Sequence, residues 1–384
     1  MRRSTLRTAV VAVTAGLALT ACGSSGGGSG STGTSGSGAK AATATSAQAM
    51  GGMDALVKAA KAEGTLNVIA LPPDWANYGA MMKAFTDKYG IAINSANPDG
   101  ASSDEIAAVT SQKGQSRAPD VLDVSSGFAL QAAAQNLLAP YQVATWADIP
   151  ANQKDPKGDW YNDYGGYISI GCNVQKVKVC PTTFKQLLDP QYAKQVALNG
   201  NPTKAGAAFS GVWAAALANG GSLDDIGKGI DFFVKVKKAG NFNPVEVTPA
   251  TVQSGETPIS IDWDYYNAAQ VAKLQKAGVT WQVNVPTDGI FGSFYNQAIS
   301  KFAPHPAAAR LWEEFLYSDQ GQNIWLQGLS RPVRLPAMEK AGTADQAALK
   351  ALPKVSGSVD FPTQQQQTAA QKVVADRWNA ELSG

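Results

Sequence analysis

Acidic and aromatic residues alternate in the segment Asp262-Trp263-Asp264-Tyr265-Tyr266. The segment follows a run typical of a buried strand, and alternate residues of a strand face the same side of a sheet. Asp262 and Asp264 are therefore expected to point together into a cleft. Two carboxylates beside Trp and Tyr rings suit a small organic cation, because the carboxylates neutralise its charge and the ring faces stabilise a desolvated ammonium group.

A second acidic and aromatic group lies earlier in the chain. Asp74, Trp75 and Tyr78 follow an apolar segment and are expected to supply the same chemistry from the opposite side of the cleft, with Phe294 as a further wall. The alternative interpretation is structural. In that interpretation Asp264 caps the helix that follows it, and the aromatic rings pack in the core.

Hydroxyl residues form a third group, which predicts a different ligand. Ser125, Ser126, Thr203 and Ser210 stand next to expected helix starts, where free backbone N–H groups favour anions. A phosphonate or another anion would suit these residues. The aspartates predicted for the same cleft would oppose such a ligand.

The chain carries no strong signal for catalysis. It contains no His-Glu-x-x-His motif and no phosphate-binding loop, and its only histidine is His305. A pair of carboxylates can hydrolyse a glycosidic bond, but Asp262 and Asp264 do not lie in a glycosidase pattern. We expect neither enzymatic activity nor a cofactor.

These groups stand where strand-like runs give way to helical patterns. In an α/β fold that place is the carboxyl end of a strand, where open sheets bind their ligands. The predicted strand–helix pairs are Leu66–Leu71 with a helix from Trp75, Pro119–Asp123 with Phe128–Gln135, and Ile259–Asp262 with Tyr265–Ala277. This alternation predicts an α/β chain with mainly parallel strands.

The N-terminus predicts export. Three arginines lie within the first seven residues, and the apolar run Ala9–Ala21 is shorter than the roughly 20 residues that span a bilayer. A basic head before a short apolar run is typical of a secretory signal, which we assign to residues 1–21. The ending Leu19–Cys22 resembles the lipobox of bacterial lipoproteins, and this implies lipidation of Cys22. The alternative is an ordinary signal followed by an unrelated cysteine.

Residues 22–52 are predicted to form a flexible tether. Most of this stretch is Gly, Ser, Thr and Ala, which bury too little apolar surface to offset chain entropy. Without the three N-terminal arginines, the 32 basic residues of the whole chain become 29, against 30 acidic residues. The exported chain is thus nearly neutral, and we expect no nucleic-acid partner.

The part of the chain from Met53 onward has 332 residues, more than one hydrophobic core usually serves, so two lobes are expected. We assign residues 53–163 and 286–330 to lobe one, and residues 164–285 and 331–384 to lobe two. Two thiols, Cys172 and Cys180, lie in this part. In an exported protein they form either one disulfide or two separate buried thiols.

A family resemblance rests on the stretches Leu66–Tyr78, Gly255–Tyr266 and Asp288–Arg334. They are similar to bacterial ABC-transporter extracellular solute-binding lipoproteins, in the group that includes ferric-iron, thiamine, aminoethylphosphonate and polyamine binders. The resemblance implies the type II periplasmic-binding-protein fold, with a ligand cleft between two α/β lobes. It also implies a protein anchored by lipid to the outer face of the cytoplasmic membrane, which passes its ligand to the permease and ATPase of an ABC importer. We expect a monomer.

The same resemblance adds a rival ligand. Tyr265-Tyr266 resembles the adjacent tyrosine pair with which ferric-binding relatives hold iron, and phenolates are hard oxygen ligands suited to ferric ion. Those relatives commonly add a His or Glu from the first lobe, which the loop around Trp75 lacks. We therefore predict an organic cation such as a polyamine first, ferric ion second and an anion third.

Overall fold

A computed structural model describes residues 34–356 and 361–382, so the predicted signal and Cys22 lie outside the described residues. The strands are β1 (Thr65–Ile69), β2 (Ala92–Ala96), β3 (Val121–Ser125), β4 (Leu138–Ala139), β5 (Tyr161–Asn173), β6 (Val196–Leu198), β7 (Ile259–Trp263), β8 (Trp281–Asn284), β9 (Gly292–Ser300) and β10 (Arg331–Pro332). The helices are α1 (Thr34–Thr43), α2 (Ala47–Met50), α3 (Met53–Glu63), α4 (Tyr78–Tyr89), α5 (Ser102–Ser111), α6 (Ser126–Ala134), α7 (Gly206–Ala218), α8 (Gly227–Lys238), α9 (Pro249–Ser254), α10 (Asp264–Lys276), α11 (Pro306–Leu316), α12 (Asp319–Gln327), α13 (Leu335–Ala341), α14 (Gln346–Ala351) and α15 (Gln364–Leu382).

The long strand β5 joins two sheets. Its first half pairs with β9, which also pairs with β3 and β4, and this sheet with its helices forms lobe one. Its second half pairs with β7 and β8, and β7 pairs with β6, which builds lobe two. The strands β1 and β2 form a separate parallel pair in lobe one. The chain is α/β throughout, as predicted.

The prediction of mainly parallel strands is wrong. Among the described strands only β1–β2 and β6–β7 pair in parallel, and the other pairs are antiparallel. The reason is that β5 and β9 run antiparallel to each other as the chain leaves lobe one and returns to it. The local alternation of strands and helices does not indicate which strands that are distant in the sequence will pair, or in which direction.

Helix α7 is buried on every side and forms the centre of lobe two. All residues from Gly206 to Ala216 are buried, as expected for a helix that is apolar all round. Helix α8 crosses it at Gly229, where a Cβ atom would lie 1.9 Å from the Val212 carbonyl oxygen. The close crossing therefore depends on glycine and holds α7 firmly beneath the cleft.

The tether predicted for residues 22–52 is wrong in its described part. Helices α1 and α2 pack on α3 and α11, with Ala41 and Ala44 buried. The buried Arg310 guanidinium donates hydrogen bonds to the carbonyl oxygens of Ala42 and Ala44, at 3.1 and 2.7 Å. The small-residue composition led to the prediction of a linker. Alanine, however, has the highest helix propensity, and its small side chain allows close packing.

The lobe boundary predicted at residue 331 is also wrong. The short helices α13 and α14 pack on α12 of lobe one, through an apolar cluster of Leu326, Met338, Ala344 and Ala348. Helix α15 reaches lobe two, where it packs on α8, and it also packs on α6 of lobe one. The apolar contacts of α12 cannot be recognised without knowing which segment covers it.

One disulfide closes a small loop at the end of β5. Cys172 is bonded to Cys180, with a Cα–Cα distance of 5.8 Å. Of the two alternatives for these thiols, the structure contains the disulfide.

Candidate ligand-binding cleft

A cavity of about 480 Å³ lies between the two lobes. It has the size of a small-molecule site. Five of its lining residues are acidic and three are aromatic: Asp74, Asp99, Glu105, Asp123, Glu246, Trp75, Tyr266 and Tyr295. Among the described residues that line it there is no Lys, Arg or His. We call it the acidic cavity.

Two buried carboxylates form its deep end. Asp123, near the end of β3, is 6% exposed, and Glu105 on α5 is 1% exposed. They are neighbours, since the Asp123 backbone N–H donates to a Glu105 carboxylate oxygen at 2.9 Å. Burial raises the pKa of Asp123 to about 6. Burial, followed by the negative charge of Asp123, raises the pKa of Glu105 well above its ordinary value.

A second buried acid lies behind Asp123. Burial and the charge of Asp123 raise the pKa of Asp163 well above its ordinary value, and Gln297 donates to its carboxylate at 2.9 Å. Two adjacent buried carboxyl groups do not ionise together easily. At neutral pH we therefore assign the negative charge to Asp123, which faces the cavity, and the proton to Asp163.

Trp75 connects the cavity wall to this carboxylate. Its ring lies 5.1 Å from that of Tyr266 and 5.8 Å from that of Tyr295, measured between centroids. Its indole N–H donates to the Tyr164 hydroxyl oxygen at 2.7 Å, and that hydroxyl donates to Asp123 at 2.8 Å. The aromatic wall and the deep carboxylate are thus held in one hydrogen-bonded chain.

The loop before α4 places Trp75. The prediction that α4 begins near Trp75 is wrong, because the helix begins at Tyr78. Pro72 starts a turn in which its carbonyl oxygen accepts from the Trp75 N–H at 3.0 Å. Ala76 and Asn77 then adopt left-handed φ values of 44° and 65°. This strained turn directs Trp75 into the cleft instead of along a helix.

The mouth of the cavity is more exposed. Asp74 forms an ion pair with Lys273, and both side chains are about half exposed, at 51% and 50%. Partial burial, with the negative charges of Asp99 and Asp104, raises the pKa of Glu246. Because Lys273 balances Asp74, the negative potential at the entrance comes from Asp99, Asp104 and Glu246.

The expectation that Asp262 and Asp264 point together into the cleft is wrong. Strand β7 ends at Trp263 and α10 begins at Asp264, so the alternation of a strand stops between the two carboxylates. Asp262 is fully buried and accepts from the Asn199 side chain at 2.7 Å. Asp264 forms an ion pair with Arg331 at 2.7 Å. Neither is among the residues that line the acidic cavity.

The alternative that Asp264 caps the next helix is also wrong, because the N-cap of α10 is Trp263 and Asp264 is the first residue of the helix. Asp264 is instead held by structural contacts. One oxygen accepts from the backbone N–H groups of Tyr167 and Tyr265, at 3.0 and 2.9 Å, while the other is bound by Arg331. Burial raises the pKa of Asp264, and the Arg331 charge and these hydrogen bonds oppose that rise. For Asp262, burial raises the pKa to about 7.

The other predicted aromatic residues lie around the cavity but do not line it. Tyr78 is buried and accepts from Gln297 at 2.9 Å. Trp263 and Tyr265 are buried and stack with centroids 6.1 Å apart. Phe294 packs on Phe361 at 5.4 Å. Of the residues predicted from the acidic and aromatic segments, the structure brings Asp74, Trp75 and Tyr266 to the cavity.

The predicted hydroxyl group converges at a different place. Ser125, Ser126, Thr203 and Ser210 line a second cavity, of about 260 Å³, which we call the hydroxyl cavity. Ser125 and Gly206 touch between the two cavities, since a Cβ atom on Gly206 would lie 2.4 Å from that of Ser125. The acidic residues and the hydroxyl residues therefore line two separate compartments of the cleft.

Sequence reasoning missed most of the acids that line the cleft. Asp123 carried a usable signal, because it stands near the carboxyl end of a predicted strand. Glu105, Asp99 and Glu246 carried none, since they come from a helix and two loops that only the folded chain brings together.

The described part of the chain shows neither a metal cluster nor a membrane-spanning helix. Within residues 34–356 and 361–382, no group of three or more His, Cys, Asp or Glu residues is arranged to hold a metal ion. Tyr266 lines the acidic cavity, whereas Tyr265 does not. None of the described helices has the length and apolarity required to cross a membrane.

Solved structures with the same fold bind varied ligands. The periplasmic binding protein AfuA from Actinobacillus pleuropneumoniae, with fructose-6-phosphate bound, shares 20% identity over 83% of this chain and 99% of its own, with a TM-score of 0.67. Iron-bound HitA from Pseudomonas aeruginosa shares 22% identity over 81% and 97%, with a TM-score of 0.58. AgtB from A. tumefaciens R10, in complex with agropinic acid, shares 16% over 84% and 99%, with a TM-score of 0.63.

These similarities confirm the type II periplasmic-binding-protein fold with two lobes. A family model described as bacterial extracellular solute-binding protein matches residues 116–356. Proteins of this family work in transport, outside the cytoplasm, and hand small ligands to the permeases of ABC importers. Because the match spans more than half of the chain, the protein belongs to the bacterial extracellular solute-binding proteins.

Proposed function

We propose that this protein captures a small organic cation, such as a polyamine, in the acidic cavity and delivers it to an ABC importer. The observation that carries the proposal is the lining of the cavity: five carboxylic acids and three aromatic rings, with no basic residue among the described lining residues. Lys273 already balances Asp74, and a cationic ligand would balance the charge of the remaining acids. An anionic ligand would increase the repulsion.

The deep end supplies the main counter-charge. Asp123 is buried where water can compensate its charge only poorly, and an unpaired buried charge is costly. An ammonium group beside Asp123 and Glu105 would replace the lost hydration with charge-assisted hydrogen bonds. This assignment transfers the role of counter-charge, first given to Asp262 and Asp264, to Asp123, with the neighbouring Glu105 carboxyl group as a hydrogen-bond partner.

The aromatic wall supplies the remaining contacts. Trp75, Tyr266 and Tyr295 stand close enough to surround the alkyl part and one face of an ammonium. Attraction between a cation and an aromatic face contributes about 0.5–2 kcal/mol, with the larger values in desolvated sites. A ligand with amine groups joined by short alkyl chains fits both kinds of contact.

A thermal-denaturation screen of the purified full-length chain tests the proposal. Putrescine, spermidine and thiamine are compared with sodium chloride at equal ionic strength, and ferric citrate is included as the rival ligand. A bound cation at 100 times its dissociation constant should stabilise the protein by about 3 kcal/mol. Stabilisation by ferric citrate alone, with a coloured complex, would instead assign the cleft to iron and to Tyr266 with Tyr265.

We also propose that the exported protein is a monomer held at the membrane by a lipid on Cys22. The support is the N-terminal pattern of a basic head, a short apolar run and the ending Leu-Thr-Ala-Cys. Labelling of cells with an alkyne fatty acid tests the lipid. Wild-type protein should be labelled and Cys22→Ala should not, and equal labelling of both would refute lipidation at this cysteine.

A further inference from the structure

We propose that the hydroxyl cavity is a second binding site, separate from the acidic cavity, and that it takes a small oxyanion such as a carboxylate or a phosphate. The proposal goes beyond cation capture and does not depend on it. The cavity of about 260 Å³ lies between α6 of lobe one and α7 and α15 of lobe two. Its size fits a small ion or the end group of a larger molecule.

The first support is the start of α6. Ser126, Gly127 and Phe128 form its first turn and line the cavity. The residue before the helix, Ser125, makes no side-chain cap to this turn. The first N–H groups of a helix have no partner within the helix, and the partial positive charge at this end favours an anion.

The second support is independent of that helix. Gln367 on α15 and Ser210 on α7 are each 5% exposed and line the cavity. Neither side chain makes a hydrogen bond to another described residue of the chain. Their polar atoms reach the cavity, so the cavity must supply their hydrogen-bond partners. Two such groups at one cavity, both able to donate a hydrogen bond, point to an acceptor bound between them.

A third donor approaches from α15. The Gln371 amide lies against the start of α6, where a Cβ atom on Gly127 would be 2.1 Å from the amide nitrogen. Glycine at this position lets the α15 side chain reach the helix start. Donors from both lobes thus line the same cavity.

The charge of the lining selects the ligand. No Asp or Glu is among the described residues that line the hydroxyl cavity, and its one basic residue is Lys372. Lys372 lies at the exposed rim, paired with Asp376 at 2.7 Å. A cation would find no counter-charge inside, whereas an oxyanion would accept hydrogen bonds from serine, glutamine and backbone donors.

The position of the site gives it a consequence for lobe closure. Helix α15 is fixed to lobe two by the Arg377–Asp231 ion pair at 2.7 Å and by the packing of Trp378 on Phe233. Its donors meet α6 of lobe one only while the lobes are together. A bound oxyanion would therefore favour the closed arrangement, because it binds that state and not the open one.

Calorimetric titration of the full-length chain tests this proposal. Sodium phosphate and sodium acetate are titrated against sodium chloride at equal ionic strength. Binding of phosphate alone would identify a phosphate-type ligand, and binding of acetate would identify a carboxylate. Gln367→Leu should weaken binding about tenfold, because a hydrogen bond to a charged group is lost. Gln365→Leu, at an exposed position of the same helix, should change nothing.

Ser210→Ala is the second variant, since it removes one hydroxyl without changing the packing of α7, and it should also weaken binding. Asp54→Asn, at an exposed position of α3 that lines neither cavity, serves as the reference for loss of a carboxylate, and it should keep the oxyanion affinity of the wild type. The proposal is overturned if neither oxyanion binds, if both Gln367→Leu and Ser210→Ala bind like wild type, or if Gln365→Leu loses binding equally.

Discussion

The acidic cavity and the hydroxyl cavity share one cleft but have opposite chemistry. Asp123 faces the first and Ser125, two residues later on the same strand, lines the second. The first offers acceptors and aromatic faces, while the second offers donors and a helix start. Ser125 and Gly206 touch at the boundary between them, and the Ser125 backbone N–H also donates at 3.2 Å to the hydroxyl of Ser102, which lines the acidic cavity. The two proposals therefore place cationic groups on one side of this boundary and anionic groups on the other.

The difference also shows how each cavity is built. The acidic cavity takes its chemistry from carboxylates with pKa values raised by burial, so its charge depends on pH. The hydroxyl cavity uses neutral side chains and backbone groups, whose hydrogen bonds do not titrate. The following changes should separate the two cavities, beginning with the largest effect on cation binding.

Asp123→Asn should weaken cation binding most, by about 100-fold. Removing one partner of a buried charge pair costs about 2–5 kcal/mol, and asparagine keeps the size of the side chain. Calorimetry with the amine identified by the screen gives the affinity. The matched control is Asp54→Asn, at an exposed position of α3. An unchanged affinity in Asp123→Asn would remove the acidic cavity as the cation site.

Lowering the pH from 7 to 5 should weaken the affinity for the cation by about tenfold. The pKa of Asp123 is raised to about 6 by burial, so protonation below that pH removes the counter-charge. Binding of sulfate, which stays ionised, to the hydroxyl cavity should not change over this range. A cation affinity that is flat with pH would contradict the assignment of Asp123.

The same pKa sets the sign of a stability change. Because the folded pKa of Asp123 lies above the unfolded value of about 3.9, its contribution is most favourable below pH 4 and is lost as the pH rises towards 6. Thermal melts of the ligand-free chain measure this contribution. Between pH 4 and pH 6, the wild type should lose stability relative to Asp123→Asn. A bound cation should reverse the difference.

Trp75→Leu should weaken the affinity for the cation about fivefold, because the loss of a cation–aromatic contact costs about 1 kcal/mol. It should leave oxyanion binding intact, since Trp75 does not line the hydroxyl cavity. Trp75→Phe keeps an aromatic face and should recover part of the affinity. Equal losses for both ligands would show that the substitution disturbs the cleft as a whole.

Asp264→Asn should have the smallest effect on ligand affinity, less than about threefold, and a large one on stability. It leaves Arg331 without its buried partner, and breaking a buried ion pair costs about 3–5 kcal/mol. Urea denaturation measures the stability, and calorimetry measures the affinity. A large loss of cation affinity in the folded variant would show that Asp264 takes part in cation binding after all.

Local patterns predicted much of the architecture but not the residues of the site. The α/β class followed from the alternation of strands and helices, and the two lobes followed from chain length. Asp264 shows the limit of local patterns. Strand β7 ends at Trp263 and α10 begins at Asp264, so the alternation of a strand does not extend to this carboxylate, which points away from the cleft. The Asp/Trp/Tyr composition of the segment is the same in either case.

By itself, the sequence determined the fold class, the family and the kinds of chemistry that the cleft would contain. These properties follow from periodicity, from turn residues and from motifs that are local in the chain. Only the tertiary structure decided that Glu105, Asp123 and Glu246 meet at one cavity and that Gln367 reaches the other. Their meeting depends on helix packing and strand returns over more than 100 residues, and burial, which sets their charge, exists only after that packing is complete.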